Sequence, residues 1–392
     1  MENRVHYGEY TLEYWIHMLL KRRITLPPYQ RYYVWDERQF KCFITALKEK
    51  RFIPPVTIAA RKTGNKIEDL IIDGQQRLTS VLLCYLGLFL DGKKLKEIDD
   101  RFIDDEDNER GDDNAKLVHE WNYQCLLDDA GKNSRESIRE RKAKCGCRDL
   151  DLSVDANFFK NTYIGFSYLI PGSNTAQEKY FARTFKEINV GGTSLTEQES
   201  REALYYLKPE YKGFFAPDFA KAIRVDQKGA KRNGHVDFVR YLSIVAQYIS
   251  AKETTDNLFK YGKREVADYY EEYICSVVDG EDNDLFGKFS EVLGVKAMEK
   301  RMGMLKKCID CIVPMIDFKS IVVVDVVFFG AVYWLLYKGR KFDLSKRDLA
   351  IESLKKHSEV LLREAGRSPA VLKKVRDRLT SSIKLYGEFL AQ

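Results

Sequence analysis

The first stripe of apolar positions, Leu12, Trp15, Ile16, Leu19 and Leu20, has three-to-four spacing and predicts a helix over residues 10–20. Pro27 and Pro28 end it, and the following YQRYYVW reads as an aromatic, extended segment. Asp36 reads as an N-cap with Gln39 as its capping-box partner, ahead of the stripe Phe40, Phe43, Ile44 and Leu47. Residues 55–60 (PVTIAA) predict a strand, 62–66 a turn, and 70–72 a second strand. A helix then carries Leu78, Val81, Leu82, Tyr85, Leu86 and Phe89 on one face.

From about residue 114 the pattern is mostly helical. A helix over 179–188 ends in Asn189-Val-Gly-Gly, and Thr196 with Glu199 forms a second capping box. Long helical patterns follow at 236–250, 263–278, 321–337, 346–364 and 369–390. The apolar run 321–337 is shorter than the roughly 20 residues of a membrane span and is interrupted by Asp325, so it predicts a buried core helix. The expected fold class is α+β. A small mixed-sheet domain over 1–113 is followed by a mainly α-helical domain over 114–392, which contains the FKEINVGG loop.

Charge sharpens this division. The total of +6 is small for 392 residues, yet residues 1–94 carry +6, residues 95–113 carry −7 and residues 338–392 carry +7. The acidic run has no periodic apolar face and reads as a solvated loop. Two basic regions remain for an anionic partner. Hydrophobic residues make up 44% of the chain, enough for a sizeable core, and only 24 Gly and 9 Pro exclude a collagenous or linker-rich chain. The polar start MENRVH lacks the apolar stretch of a secretory leader. The eight cysteines therefore read as reduced thiols of a cytoplasmic protein.

Three segments have the makings of a site. In residues 73–77, DGQQR, an apolar strand runs through Asp-Gly straight into a helix. Such a terminus leaves first-turn N–H groups unpaired, with the positive end of the helix dipole behind them. Gly74 allows close backbone approach, Gln75 and Gln76 offer amides, Arg77 a bidentate phosphate donor, and Asp73 a carboxylate for a metal ion or a water. A plain turn with an exposed glutamine pair fits the same residues. In Tyr29-Gln30-Arg31-Tyr32, an arginine among aromatics suits phosphate-plus-base recognition, though taken alone the segment reads first as an aromatic edge strand with a snorkelling arginine. Asn189 before Gly191 and Gly192 permits either a concave backbone or a simple helix stop.

Other chemistries lack their patterns. Neither a Walker-type GxxxxGK[ST], an HExxH nor a GxSxG occurs, and the five histidines share no motif. Cys145-Gly-Cys147 is too closely spaced for a zinc arm, and Cys308 and Cys311 sit in an apolar helical run, so all four read as free thiols.

In order along the chain, LPPYQRYYVW, FIPPVTI, LIIDGQQRLTSVLL and FKEINVGGTSLTEQE resemble the N-terminal domain of GmrSD-type restriction endonucleases, of the ParB/sulfiredoxin-like superfamily. The resemblance covers roughly residues 10–94 and 180–205. It implies a nucleotide-binding and NTP-hydrolysing module of an anti-phage restriction system. Asp73, Gln76 and Arg77 would turn the nucleotide over, and Tyr29, Gln30, Arg31, Gly74, Gln75 and Asn189 would bind it, with Mg²⁺ at Asp73. The HNH nuclease domain of the full enzymes has no counterpart here, which implies a separate nuclease or methyltransferase subunit and no autonomous DNA cleavage. A non-catalytic DNA-binding specificity subunit is the alternative reading, and a ParB-like DNA nuclease the second alternative. No membrane partner is expected; a homodimer stays open.

Overall fold

A computed structural model describes residues 2–27, 29–30, 32–64, 66–98, 102–103, 118–128, 133–150, 152–172, 176–189, 197–225, 234–256, 258, 266–280, 282–365 and 372–391. The chain forms two compact units, one of residues 1–98 with 116–207 and one of 99–115 with 208–392. The first unit therefore extends well past the boundary at 113 that the acidic run suggested.

The first unit is built on a five-stranded mixed sheet. Its elements are β1 (Arg4–Thr11), α1 (Leu12–Leu20), β2 (Ile24–Thr25), α2 (Glu37–Lys48), β3 (Val56–Thr63), β4 (Lys66–Asp73), α3 (Gln75–Leu86), β5 (Tyr163–Ile170), α4 (Gln177–Asn189) and α5 (Glu197–Tyr205). The strand order is β1-β5-β3-β4-β2. β5 pairs antiparallel with β1 and parallel with β3, while β3 and β4 form an antiparallel hairpin. β5 lies in the stretch that read as mostly helical, and its pairing joins residues after 116 to this unit.

Around the adjoining inner parts of β3 and β4 the sheet is buried on both faces. Val56, Ile58 and Ile71 join Leu12, Trp15, Phe40, Phe43, Leu78 and Val81 beneath α1, α2 and α3. Ala59, Leu70 and Ile72 join Tyr29, Phe181, Phe185 and Ala203 on the opposite face. This two-sided burial is why residues 70–72 read as an unbroken apolar run.

Local signals hold at α2, where Asp36 Oδ1 accepts from the Gln39 N–H (2.7 Å) and Gln39 Oε1 accepts from the Asp36 N–H (3.1 Å). Two expectations need correction. α3 stops at Leu86 because Gly87 turns left-handed (φ +65°), which places Phe89 in a short strand, Leu88–Leu90, and not on the helix. Tyr32 to Trp35 is no ladder strand; its backbone is held instead by the Gln76 side chain of α3 and by the Trp121 carbonyl, which accepts from the Tyr33 N–H (2.8 Å).

The second unit is mainly helical: α6 (Phe238–Ser250), α7 (Val266–Asp279), α8 (Val295–Ile312), α9 (Ile321–Ala331), α10 (Arg347–Ala365) and α11 (Leu372–Gly387). The apolar run expected as one helix is α9 followed by a π-helical turn, Val332–Tyr337. No helix of the described residues is long and apolar enough to cross a membrane. Asp325, fully buried in α9, accepts from Arg240 Nε and Nη2 (3.2 and 3.1 Å), the Tyr241 hydroxyl (3.0 Å) and Arg378 Nε (2.7 Å). One carboxylate thus ties α6 and α11 to α9. At Gly330 a Cβ would run into the Ser382 carbonyl, so glycine sets the close approach of α9 and α11.

Candidate functional site

The β3–β4 register jumps from Asp73 opposite Thr57 to Ile71 opposite Ile58, so Ile72 is an extra residue and β4 carries a bulge one step before Asp73. Bulges re-aim the residues that follow and leave backbone groups unpaired. Gln30 meets that demand, its Nε2 donating to the carbonyls of Ile71 (2.9 Å) and Ile72 (2.8 Å).

Gly74 makes the turn from β4 into α3 at φ +94°, and a Cβ there would stand 2.9 Å from Val56 Cγ2. Only glycine satisfies both demands. Among the described residues no side chain caps α3. The N–H groups of its first turn are left for solvent or an anion, with the helix dipole favouring negative charge.

The two glutamines that follow are not exposed, as a plain turn would have them; Gln75 is 3% and Gln76 7% accessible. Gln76 is fully engaged. Its Oε1 accepts from the Val34 N–H (3.0 Å) and its Nε2 donates to the Tyr32 carbonyl (2.9 Å). One amide imitates a strand neighbour for residues 32–34. Gln75 differs, because among the described residues neither its Oε1 nor its Nε2 has a hydrogen-bond partner, and Thr79 Oγ1, one helical turn on, is equally buried and likewise unpartnered among them. Such orphaned groups cost about 1–3 kcal/mol each, which marks them as places for a ligand or an ordered water.

Arg77 forms an ion pair with Asp73 across the turn, and its other terminal nitrogen donates to the carbonyls of Pro54 and Pro55. The guanidinium side chain is mostly buried (12% accessible) and the Asp73 side chain is 27% accessible. The pair anchors the loop before β3 to the start of α3 and keeps the carboxylate at the rim. Among the described residues no group of three or more His, Cys, Asp and Glu side chains is placed to hold a metal ion.

Tyr29 is buried and brings the second and third motifs together. Its ring packs edge-on to Phe185 of α4 (5.3 Å between centroids) and against Tyr206 (5.5 Å). Asn189 is the last residue of α4. Arg31, Gly191, Gly192 and Thr196 lie outside the described residues. Sequence reasoning did not single out Thr79, whose only signal was its spacing of four from Gln75. Nor did it find the Pro54 and Pro55 carbonyls, or the Tyr33 hydroxyl bonded to Ser80 (2.8 Å) behind the helix.

Residues 16–206 match the family model of the GmrSD restriction endonuclease, N-terminal domain. That span includes all nine residues singled out above. No curated protein and no solved structure matches the chain.

Proposed function

Residues 16–206 of this chain belong to the GmrSD restriction endonuclease N-terminal domain family, which makes the protein a component of a restriction system, and from that premise we propose that the first unit binds and hydrolyses a nucleoside triphosphate at residues 73–77. The observation that carries this reading is the uncapped N-terminus of α3 with the unpartnered, buried Gln75 amide in its first turn. An anion there meets backbone donors and a favourable dipole, and the amide supplies the polar contact that nothing else in the described residues uses.

In this reading the first-turn N–H groups and Arg77 hold phosphate oxygens, and Asp73 accepts a hydrogen bond from the attacking water. Arg77 holds Asp73 in place in the free protein and shares its charge with the phosphates once they arrive. Gln76 acts as a positioning residue, since its amide is committed to Tyr32 and Val34. Gln30 braces the strand end that carries Asp73, Tyr29 packs on Phe185 of α4, and Asn189 ends that helix. Where the nucleotide brings Mg²⁺, Asp73 would be the residue of this chain that holds it. The ion would neutralise phosphate charge. Cutting DNA would fall to a separate nuclease subunit.

The test is phosphate release and calorimetric binding with the full chain, Mg²⁺ and a panel of nucleoside triphosphates. One or more nucleotides should bind and turn over. Arg77→Ala should lower turnover about 10²-fold, as expected for a lost charge-stabilising donor. Absence of nucleotide binding, or unchanged turnover in Arg77→Ala, refutes the reading.

A further inference from the structure

Three of the eight cysteines, Cys125, Cys145 and Cys147, converge within the first unit. The Cys145 thiol donates to the Cys125 carbonyl (3.3 Å), and the Cys147 thiol donates to the Cys145 carbonyl (3.5 Å). Gly146 turns left-handed between the last two (φ +64°), and a Cβ there would collide with the Leu95 side chain, so glycine fixes the turn that carries both thiols. Cys145 and Cys147 are buried while Cys125 is half-buried, so a reagent from solvent meets Cys125 first. Burial, and after it the neighbouring Cys145 and Cys125 sulfurs, pushes the Cys147 thiol up to about 12, which keeps it protonated and a poor nucleophile. That leaves an entry thiol, Cys125, and a second thiol, Cys145, aimed at its backbone.

The Cys145 carbonyl also accepts from Trp121 Nε1 (2.9 Å), and the Trp121 carbonyl in turn accepts from the Tyr33 N–H (2.8 Å), with the two rings edge to face at 5.9 Å. Tyr33 stands between Tyr32 and Val34, the two residues that Gln76 holds, and its hydroxyl bonds to Ser80 of α3 (2.8 Å). Hydrogen bonds therefore lead from the thiols through Trp121 to the segment that braces α3. Such a path becomes a switch only where one end has two discrete arrangements. A dithiol has two, the paired thiols and the disulfide.

We propose that Cys125 and Cys145 form a reversible disulfide whose closure loosens the brace on residues 32–34. The oxidant is a low-molecular-weight disulfide. Cys125 gives up its proton, its sulfur bonds to one sulfur of the oxidant, and the other half leaves as a thiol. Cys145 then gives up its proton, bonds to the Cys125 sulfur and releases the second half as a thiol. Two protein thiols lose two protons and two electrons, and the oxidant gains both. The S–S bond imposes its own separation and torsion on the two residues, so the Cys145 sulfur leaves the Cys125 carbonyl and the Cys145 carbonyl is drawn off Trp121 Nε1. The consequence for nucleotide binding rests on the reading of residues 73–77 given above, whereas the switch itself is measured without nucleotide.

The full chain is equilibrated in graded mixtures of reduced and oxidised glutathione, then read by non-reducing peptide mass spectrometry and by amide hydrogen exchange at Tyr33. Oxidation should yield a Cys125–Cys145 bridge that dithiothreitol reverses. Exchange at Tyr33 should rise roughly fivefold or more with the bridge and return on reduction. Cys125→Ser should abolish both effects, whereas Cys42→Ser, at the exposed cysteine, should leave both in place. Glutathione held on Cys125 with no bridge, a bridge from Cys145 to Cys147, or a bridge that leaves Tyr33 exchange unchanged overturns the proposal. Stoichiometric zinc that copurifies with the chain and blocks oxidation of the three thiols overturns it too. Bridge and exchange are read on the unaltered protein, so a misfolded variant cannot obscure the outcome. Absence of nucleotide binding would refute the reading of residues 73–77 and leave the disulfide standing.

Discussion

Gln30, Gln75 and Gln76 carry the same amide into three settings. Gln30 serves the bulge carbonyls of β4 and Gln76 serves the backbone of residues 32–34, whereas Gln75 is buried with both ends of its amide unpartnered. The physical consequence differs in sign. Replacing an orphaned buried amide with an apolar side chain of similar volume removes a desolvation penalty of about 1–3 kcal/mol. Gln75→Leu is therefore expected to leave the melting temperature unchanged or raise it, while nucleotide affinity falls at least tenfold. Thermal unfolding and calorimetric titration check this together, and a parallel loss of both would mean that Gln75 only packs. The identity of these residues was legible in the sequence, because DGQQR stands between an apolar strand and an apolar-faced helix. Their division of labour was not, because it depends on the segment 29–34, which lies some 40 residues away along the chain.

At the scale of elements, the site is a strand with a bulge, a left-handed glycine and a helix, braced by an extended segment that has no ladder of its own. Gln76→Leu should expose that dependence. It strips the partners from Val34 N–H and the Tyr32 carbonyl, and the expected loss of stability is about 2–6 kcal/mol at roughly 1–3 kcal/mol per orphaned group. Amide exchange at Val34 should rise far more than in β3 and β5, and uniform acceleration would contradict a local brace. The capping box at Asp36 and Gln39 was predicted correctly because both partners lie within one helical turn. The stop at Gly87 was overrun because the apolar spacing continues to Phe89 while the backbone turns left-handed. The bulge at Ile72 leaves no local signature, since an extra residue is defined only against its partner strand.

At the scale of the whole molecule, β5 sits between β1 and β3, so the sheet is completed by residues 163–170. A fragment of residues 1–113 lacks that strand along with α4 and its Phe181 and Phe185, which cover one sheet face. It should remain unfolded or aggregate, whereas a fragment of residues 1–207 should show the circular dichroism of a folded α+β domain. A cooperative unfolding transition in the shorter fragment would contradict the assigned role of β5. The fully buried Asp325 teaches the same lesson in the second unit. Along the chain it merely interrupts an apolar run, and in space it binds Arg240, Tyr241 and Arg378 from two other helices. By itself the sequence determined the helices with one apolar face, the capping box of α2, the hairpin of β3 and β4 and the strand–DGQQR–helix junction, because each rests on contacts within a few residues. Only the tertiary structure decided the place of β5, the extent of the first unit, the brace supplied by Gln76 and the isolation of Gln75. Hydrogen bonds and packing between distant segments obey no spacing rule along the chain; they follow from which backbone and amide groups remain to be satisfied once the sheet has closed.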